Sequence, residues 1–183
     1  MHMKKKDLYR MVTTAVLLAI GMVLPFLTGQ MQTFGKLISP LHIPVFICGL
    51  TCGPVWGAAL GLVLPILRSV VFGMPKLMPT AVTMMAEMAV YGLAVGLMDP
   101  LLCRVLKRQR LWAMLLSLLV AMLAGRVVGG MVNALILGAQ GSGYSFTMFV
   151  ASYFSSTLVG AAIHLVVVPV VVLALEKARL TNK

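Results

Sequence analysis

Residues Pro40–Phe72 read PLHIPVFICGLTCGPVWGAALGLVLPILRSVVF, and this stretch decides the fold. It is apolar almost throughout and holds one ionisable cation, Arg68, near its end. A hydrocarbon core about 30 Å thick takes roughly 20 helical residues, so the run is too long for one crossing. Gly53-Pro54 is the natural break, because both residues punctuate helices. The reading is a short span over 40–52 and a second over 54–72.

Working outward, the same apolar density continues in both directions. Of 183 residues, 61% are hydrophobic and only 10% charged, against about 25% charged in a typical soluble chain. Mean hydropathy is +1.03. Too few charges are present to cover a soluble surface, which argues against soluble enzymes and DNA-binding modules. The remaining spans are placed at 11–29, 80–101, 111–137 and 146–175. The fold class expected is therefore an all-α integral membrane protein, one domain over residues 1–183, with a six-transmembrane-helix bundle. Lys4, Lys5, Lys6 and Arg10 precede an apolar run that is long and leads into further spans, so no cleavable leader is expected.

The net charge of +11 comes from 15 basic and 4 acidic residues. In a soluble chain it would point to nucleic acid. Here most of the cations lie between or beyond the apolar runs. With six spans, both termini share a side. That side carries four cations at the N-terminus, four between Arg104 and Arg110, and three at the C-terminus. Lys36 and Lys76 lie on the other side. The positive-inside rule then makes both termini cytoplasmic. Trp56 and Trp112 fall just after cytoplasmic turns, in keeping with an interfacial aromatic belt.

Arg68, Glu87 and Arg126 sit inside spans. A charge at mid-bilayer costs about 2.5–3.5 kcal/mol on insertion scales, so such residues face protein or a water-filled cavity. Arg68 and Glu87 lie roughly 6 and 10 Å from the outer ends of their spans at 1.5 Å per residue. Arg126 is near mid-span, and Asn133 shares its helix face two turns outward. All four can converge on a cavity open to the outside. One reading is a structural ion pair between Glu87 and an arginine. The other is a small-molecule site, where two cations against one anion favour a carboxylate ligand. The two are compatible.

His42, between Pro40 and Pro44, is a further candidate for the cavity wall. His164, in the middle of the sixth span, reads as a buried, hydrogen-bonded structural histidine. Met78, Met84, Met85 and Met88 cluster on the outer half of the fourth span, as gap fillers or as an adaptable apolar wall. Gln32, Phe34, Tyr144 and Phe146 lie in outer loops that can cover a cavity. Cys48, Cys52 and Cys103 read as packing residues, not as a metal site or disulfide. No Ser-His-Asp, HExxH or phosphate-loop pattern occurs, so no cofactor or metal is expected. Ala15 and Ala19 stand on one face of the first span and allow close helix approach, a theme repeated by Gly57, Gly61, Gly125, Gly129 and Gly130.

Several stretches together resemble the substrate-binding S components of energy-coupling factor (ECF) vitamin transporters. They are Ala15-Val-Leu-Leu-Ala19, Pro40-Leu-His-Ile-Pro-Val-Phe-Ile-Cys-Gly and Leu64-Pro-Ile-Leu-Arg-Ser-Val-Val-Phe-Gly-Met-Pro, followed by Pro79-Thr-Ala with Glu87 and Tyr91-Gly, and Gly125-Arg-Val-Val-Gly-Gly. The likeness covers nearly the whole chain and is similar to the branch assigned to pantothenate. It implies a multi-pass protein of a prokaryotic plasma (inner) membrane that binds a micronutrient at its outer side. It also implies docking through Ala15 and Ala19 to a transmembrane coupling subunit, which joins two cytoplasmic ATPases, and toppling in the membrane to release cargo. The substrate set expected is Arg68, Glu87, Arg126, Asn133, His42, Gln32, Tyr91 and Met84. Dimethylbenzimidazole or its riboside, pyridoxine and a queuosine precursor remain alternative cargoes. A small membrane enzyme using Arg68, Glu87 and His164, or a stand-alone channel, remains an alternative of another class.

Overall fold

The computed structural model describes residues 5–27, 39–107, 109–141, 149, 151–152 and 158–178, and these are helical almost throughout. Helix α1 is Lys5–Leu27. It starts at Lys5, not at residue 11, because lysine and arginine are good helix formers. Asp7 also sits in its first turn, where a negative charge suits the helix dipole. Helix α2 is His42–Cys52 and α3 is Pro54–Phe72. Between them Gly53 takes φ 101°, which favours glycine, and Pro54 opens α3 where its missing N–H is harmless. Gly73, at φ 69°, closes α3 by donating its N–H to the Ser69 carbonyl at 2.9 Å.

A wide turn over Leu77–Ala81 leads into α4, Val82–Val105. Helix α5 is Arg110–Ala139 and α6 is Leu158–Lys177. Both α4 and α5 run past the ends expected from hydropathy, since a helix continues through polar residues until a breaker stops it. Of the sixth predicted span, only residues 149, 151 and 152 are described before Leu158, and they are helical.

Among the described residues five helical stretches are long and apolar enough to cross a membrane: Lys5–Phe26, Pro54–Phe72, Leu77–Val105, Arg110–Ala139 and Leu158–Lys177. Their outward faces carry large apolar side chains such as Val55, Val70, Val105, Leu135 and Val166, each well exposed. That pattern suits lipid and not water. Helix α2 differs. Its eleven residues span only about 16 Å, and ten of them are buried. It is the core of the bundle, packed by α1, α3, α4 and α6.

Glycine sets how closely these helices approach. A Cβ on Gly57 of α3 would stand 2.8 Å from both the Gly49 Cα of α2 and the Gly92 carbonyl oxygen of α4. Three backbones therefore touch at one level, as small residues permit inside membranes. Cys48 and Cys52 are free thiols buried in this core, and Cys48 Sγ lies 3.4 Å from Thr14 Oγ1 of α1.

The end of the bundle opposite the α3–α4 turn is tied by ions. Arg110 Nε and Nη2 hold Glu176 of α6 at 3.0 and 2.6 Å, and Nη1 reaches Asp99 of α4 at 2.5 Å. Asp99 is only 1% exposed. Sequence reading counted Arg110 among topology charges and missed this role. Replacing Arg110 by alanine would leave the Asp99 carboxylate buried beside a second carboxylate. The expected loss is about 3 kcal/mol, the low end of the range for removing one partner of a buried ion pair, because Arg110 is itself partly solvated. Thermal unfolding in detergent should show it, with Asp99→Asn recovering part of the loss.

Candidate functional site

Helices α2, α4, α5 and α6 enclose a polar cavity within this apolar bundle. Its wall includes Ser39, His42 and Phe46 from the α2 side, Glu87 and Tyr91 of α4, Met122 and Arg126 of α5, and Gly160 and His164 of α6. The space is about 260 Å³ counted to its open mouth, and its interior has room for one water at most.

Glu87 and Tyr91 are one helical turn apart on α4, so both project toward α5. The Tyr91 hydroxyl donates to Glu87 Oε1. Arg126 acts on both, with its guanidinium reaching the Tyr91 hydroxyl and its charge facing Glu87. All three are buried. Helix α5 has no side chain where they lie, because Gly125 faces Tyr91 and Gly129 faces Glu87. A Cβ at Gly129 would sit 2.9 Å from the Glu87 Cβ. Gly129→Val is therefore expected to push Glu87 aside and weaken ligand binding at least tenfold, by about 1.4 kcal/mol. Isothermal titration should record the loss, with far-UV dichroism unchanged.

Rings form the other wall. His42 lies edge-on to Tyr91 at 5.2 Å and to His164 at 5.7 Å between centroids. Phe46 stands 5.0 Å from Tyr91 and 5.6 Å from His164. His164 Nε2 is 3.3 Å from the Ser39 carbonyl oxygen. A carbonyl only accepts, so that nitrogen carries the proton. Among the described residues His42 Nε2, which is buried, has no hydrogen-bond partner.

Residues 9–173 match the family model for the ECF transporter substrate-specific component. The chain belongs to that family. Neither the search of curated proteins nor that of solved structures finds a match. This S component is thus a substrate-binding transport subunit that works with other ECF transporter components, and it is not an enzyme.

The structure brings four of the expected residues of the S component together: His42, Glu87, Tyr91 and Arg126. It places Arg68 elsewhere. Arg68 Nη1 donates to the Met22 carbonyl at 2.9 Å, and its guanidinium lies 5.4 and 5.5 Å from the Phe26 and Phe72 ring centres. It secures the Pro25-containing end of α1 to α3. Among the described residues the cavity wall carries one arginine, Arg126, and one glutamate, Glu87. Met84 packs against the core, and neither it nor half-buried Asn133 lines the cavity. Gln32, Phe34, Tyr144 and Phe146 lie outside the described residues. His164 is buried and hydrogen-bonded as a structural histidine would be, yet it also lines the cavity. Phe46 and Ser39 carry no signal in the sequence that would have marked them. Among the described residues no group of three or more His, Cys, Asp or Glu is placed to hold a metal ion.

Proposed function

We propose that this S component binds a vitamin or vitamin precursor in the Glu87–Tyr91–Arg126 cavity, and that pantothenate is its cargo. The observation that carries this is Arg126, a buried guanidinium in an otherwise apolar bundle. A guanidinium on the cavity wall suits a carboxylate, whose two oxygens match its planar fork. A bound carboxylate sets two anions against one cation unless a proton accompanies it. The resemblance to the pantothenate branch supports the same cargo. The cavity lies on the outer side, with six passes and both termini cytoplasmic. In this topology residues 40–52 make the second crossing, in the plasma membrane of a prokaryote. Ala15 and Ala19 dock the transmembrane coupling subunit, which carries two ATPases.

A second reading is favoured by the ring wall of Phe46, Tyr91, His42 and His164. Such a wall suits a flat heteroaromatic cargo, with Glu87 bonded to a ring nitrogen. Dimethylbenzimidazole or its riboside, pyridoxine and a queuosine precursor belong to this class. The test is native mass spectrometry of the protein purified from rich medium, followed by titration with pantothenate and these compounds. Pantothenate found bound, and rebinding tightly, is the expected result. An aromatic base bound instead would replace the first reading by the second.

A further inference from the structure

His42 opens α2 and is 9% exposed. Two rings stand edge-on to it, Tyr91 of α4 and His164 of α6, and Phe46, one turn along α2, packs on both of those. Its ring borders the cavity, and among the described residues its Nε2 makes no hydrogen bond. A buried polar atom without a partner destabilises a protein by roughly 1–3 kcal/mol. Phenylalanine would fill the same place among these rings without that cost. A polar atom kept there at a loss to the empty protein is explained if the loss is recovered on binding.

We propose that His42 is the specificity residue of this cavity, and that its Nε2 reads a hydroxyl or amide group of the cargo. This rests on the cavity being the substrate site. An oxygen or N–H of the cargo, seated a few ångströms from the Arg126 end, completes the hydrogen bond that the empty protein lacks. Cargo without such a group leaves Nε2 unsatisfied and is rejected, because a site built to hydrogen-bond a group discriminates against the analogue lacking it. The cargo class is thus a compound with a neutral hydroxyl or amide beside its charged or ring portion.

The test compares wild type, His42→Phe and His42→Gln in two measurements: melting temperature of the empty protein, and affinity for a fixed panel. The panel is pantothenate, its analogue N-(3,3-dimethylbutanoyl)-β-alanine (which lacks both hydroxyls), pyridoxine and dimethylbenzimidazole. The empty His42→Phe protein should melt at the wild-type temperature or higher. Its affinity for the cargo should fall at least tenfold, and His42→Gln, which keeps a polar atom at the Nε2 position, should recover most of it. The analogue keeps the amide, so it should bind wild type and His42→Phe alike where Nε2 reads a hydroxyl, and lose affinity in His42→Phe as pantothenate does where Nε2 reads the amide. A structural histidine gives the opposite sign, with lower stability in both variants, and that result overturns the proposal. Equal affinity of wild type and His42→Phe for the cargo overturns it too, while leaving the substrate site in place. If pyridoxine binds in place of pantothenate, the pantothenate reading fails, and the variants decide the role of His42 on pyridoxine. Binding of dimethylbenzimidazole alone, or of no panel member, overturns the proposal.

Discussion

Replacing Arg126 by alanine is expected to weaken substrate binding at least about 100-fold, or ~3 kcal/mol, the range for truncating a buried charged hydrogen-bonding partner. The reason is local. Arg126 faces Glu87 and Tyr91 beside the flat strip that Gly125 and Gly129 leave on the same helix. Alanine also strands Glu87, so stability falls as well, and a single variant does not separate binding from folding. The double variant Glu87→Gln with Arg126→Leu does separate them. It removes both charges, so the bundle should fold, yet it should bind nothing. Normal binding by the double variant would reduce the pair to a helix-locking contact. Arg68→Ala serves as the contrast. It should lower the melting temperature, since α1 loses its hold on α3, and leave affinity within about threefold, ~0.6 kcal/mol.

The second large effect concerns α1. Val12, Ala15, Val16, Ala19 and Val23 form an exposed strip along it, and the alanines make the lowest ground on that strip. Close approach of a partner helix needs such low ground. Ala15→Trp with Ala19→Trp is expected to reduce uptake by cells carrying the complete transporter to background. Cargo affinity of the isolated protein should not change, because the cavity lies on α2, α4, α5 and α6. Uptake at the wild-type level would remove the two alanines from the docking surface. Loss of both uptake and affinity would mean that the tryptophans disturb the bundle itself.

The parts of this molecule legible in sequence are those where apolar solvent makes a residue type costly. Gly53-Pro54 inside a long apolar run could only be a break. Glu87 and Arg126 stood out because lipid tolerates neither. The same signal misled for Arg68, since a cation near a helix end has another occupation, bonding backbone carbonyls such as that of Met22. His164 meets His42 across the bundle, and contacts so distant in sequence leave no local period to read. Asp99 drew no reading from the sequence although it lies inside the fourth predicted span, and only the packing of α4, α5 and α6 joins it to Glu176 through Arg110. Burial of α2 on every side was concealed by its composition, which equals that of a lipid-facing helix.

The ion cluster at Arg110 also fixes the geometry by which so narrow a cavity can admit cargo. If Glu176 stays held, α6 has one anchored end, and widening the cavity becomes a tilt about that anchor. Gly160 is sixteen residues away, roughly 24 Å at 1.5 Å per residue. A tilt of about 5° over that arm moves the cavity end by ~2 Å. The helix then acts as a lever whose fulcrum is a salt bridge, so admission at one face leaves the opposite face almost still.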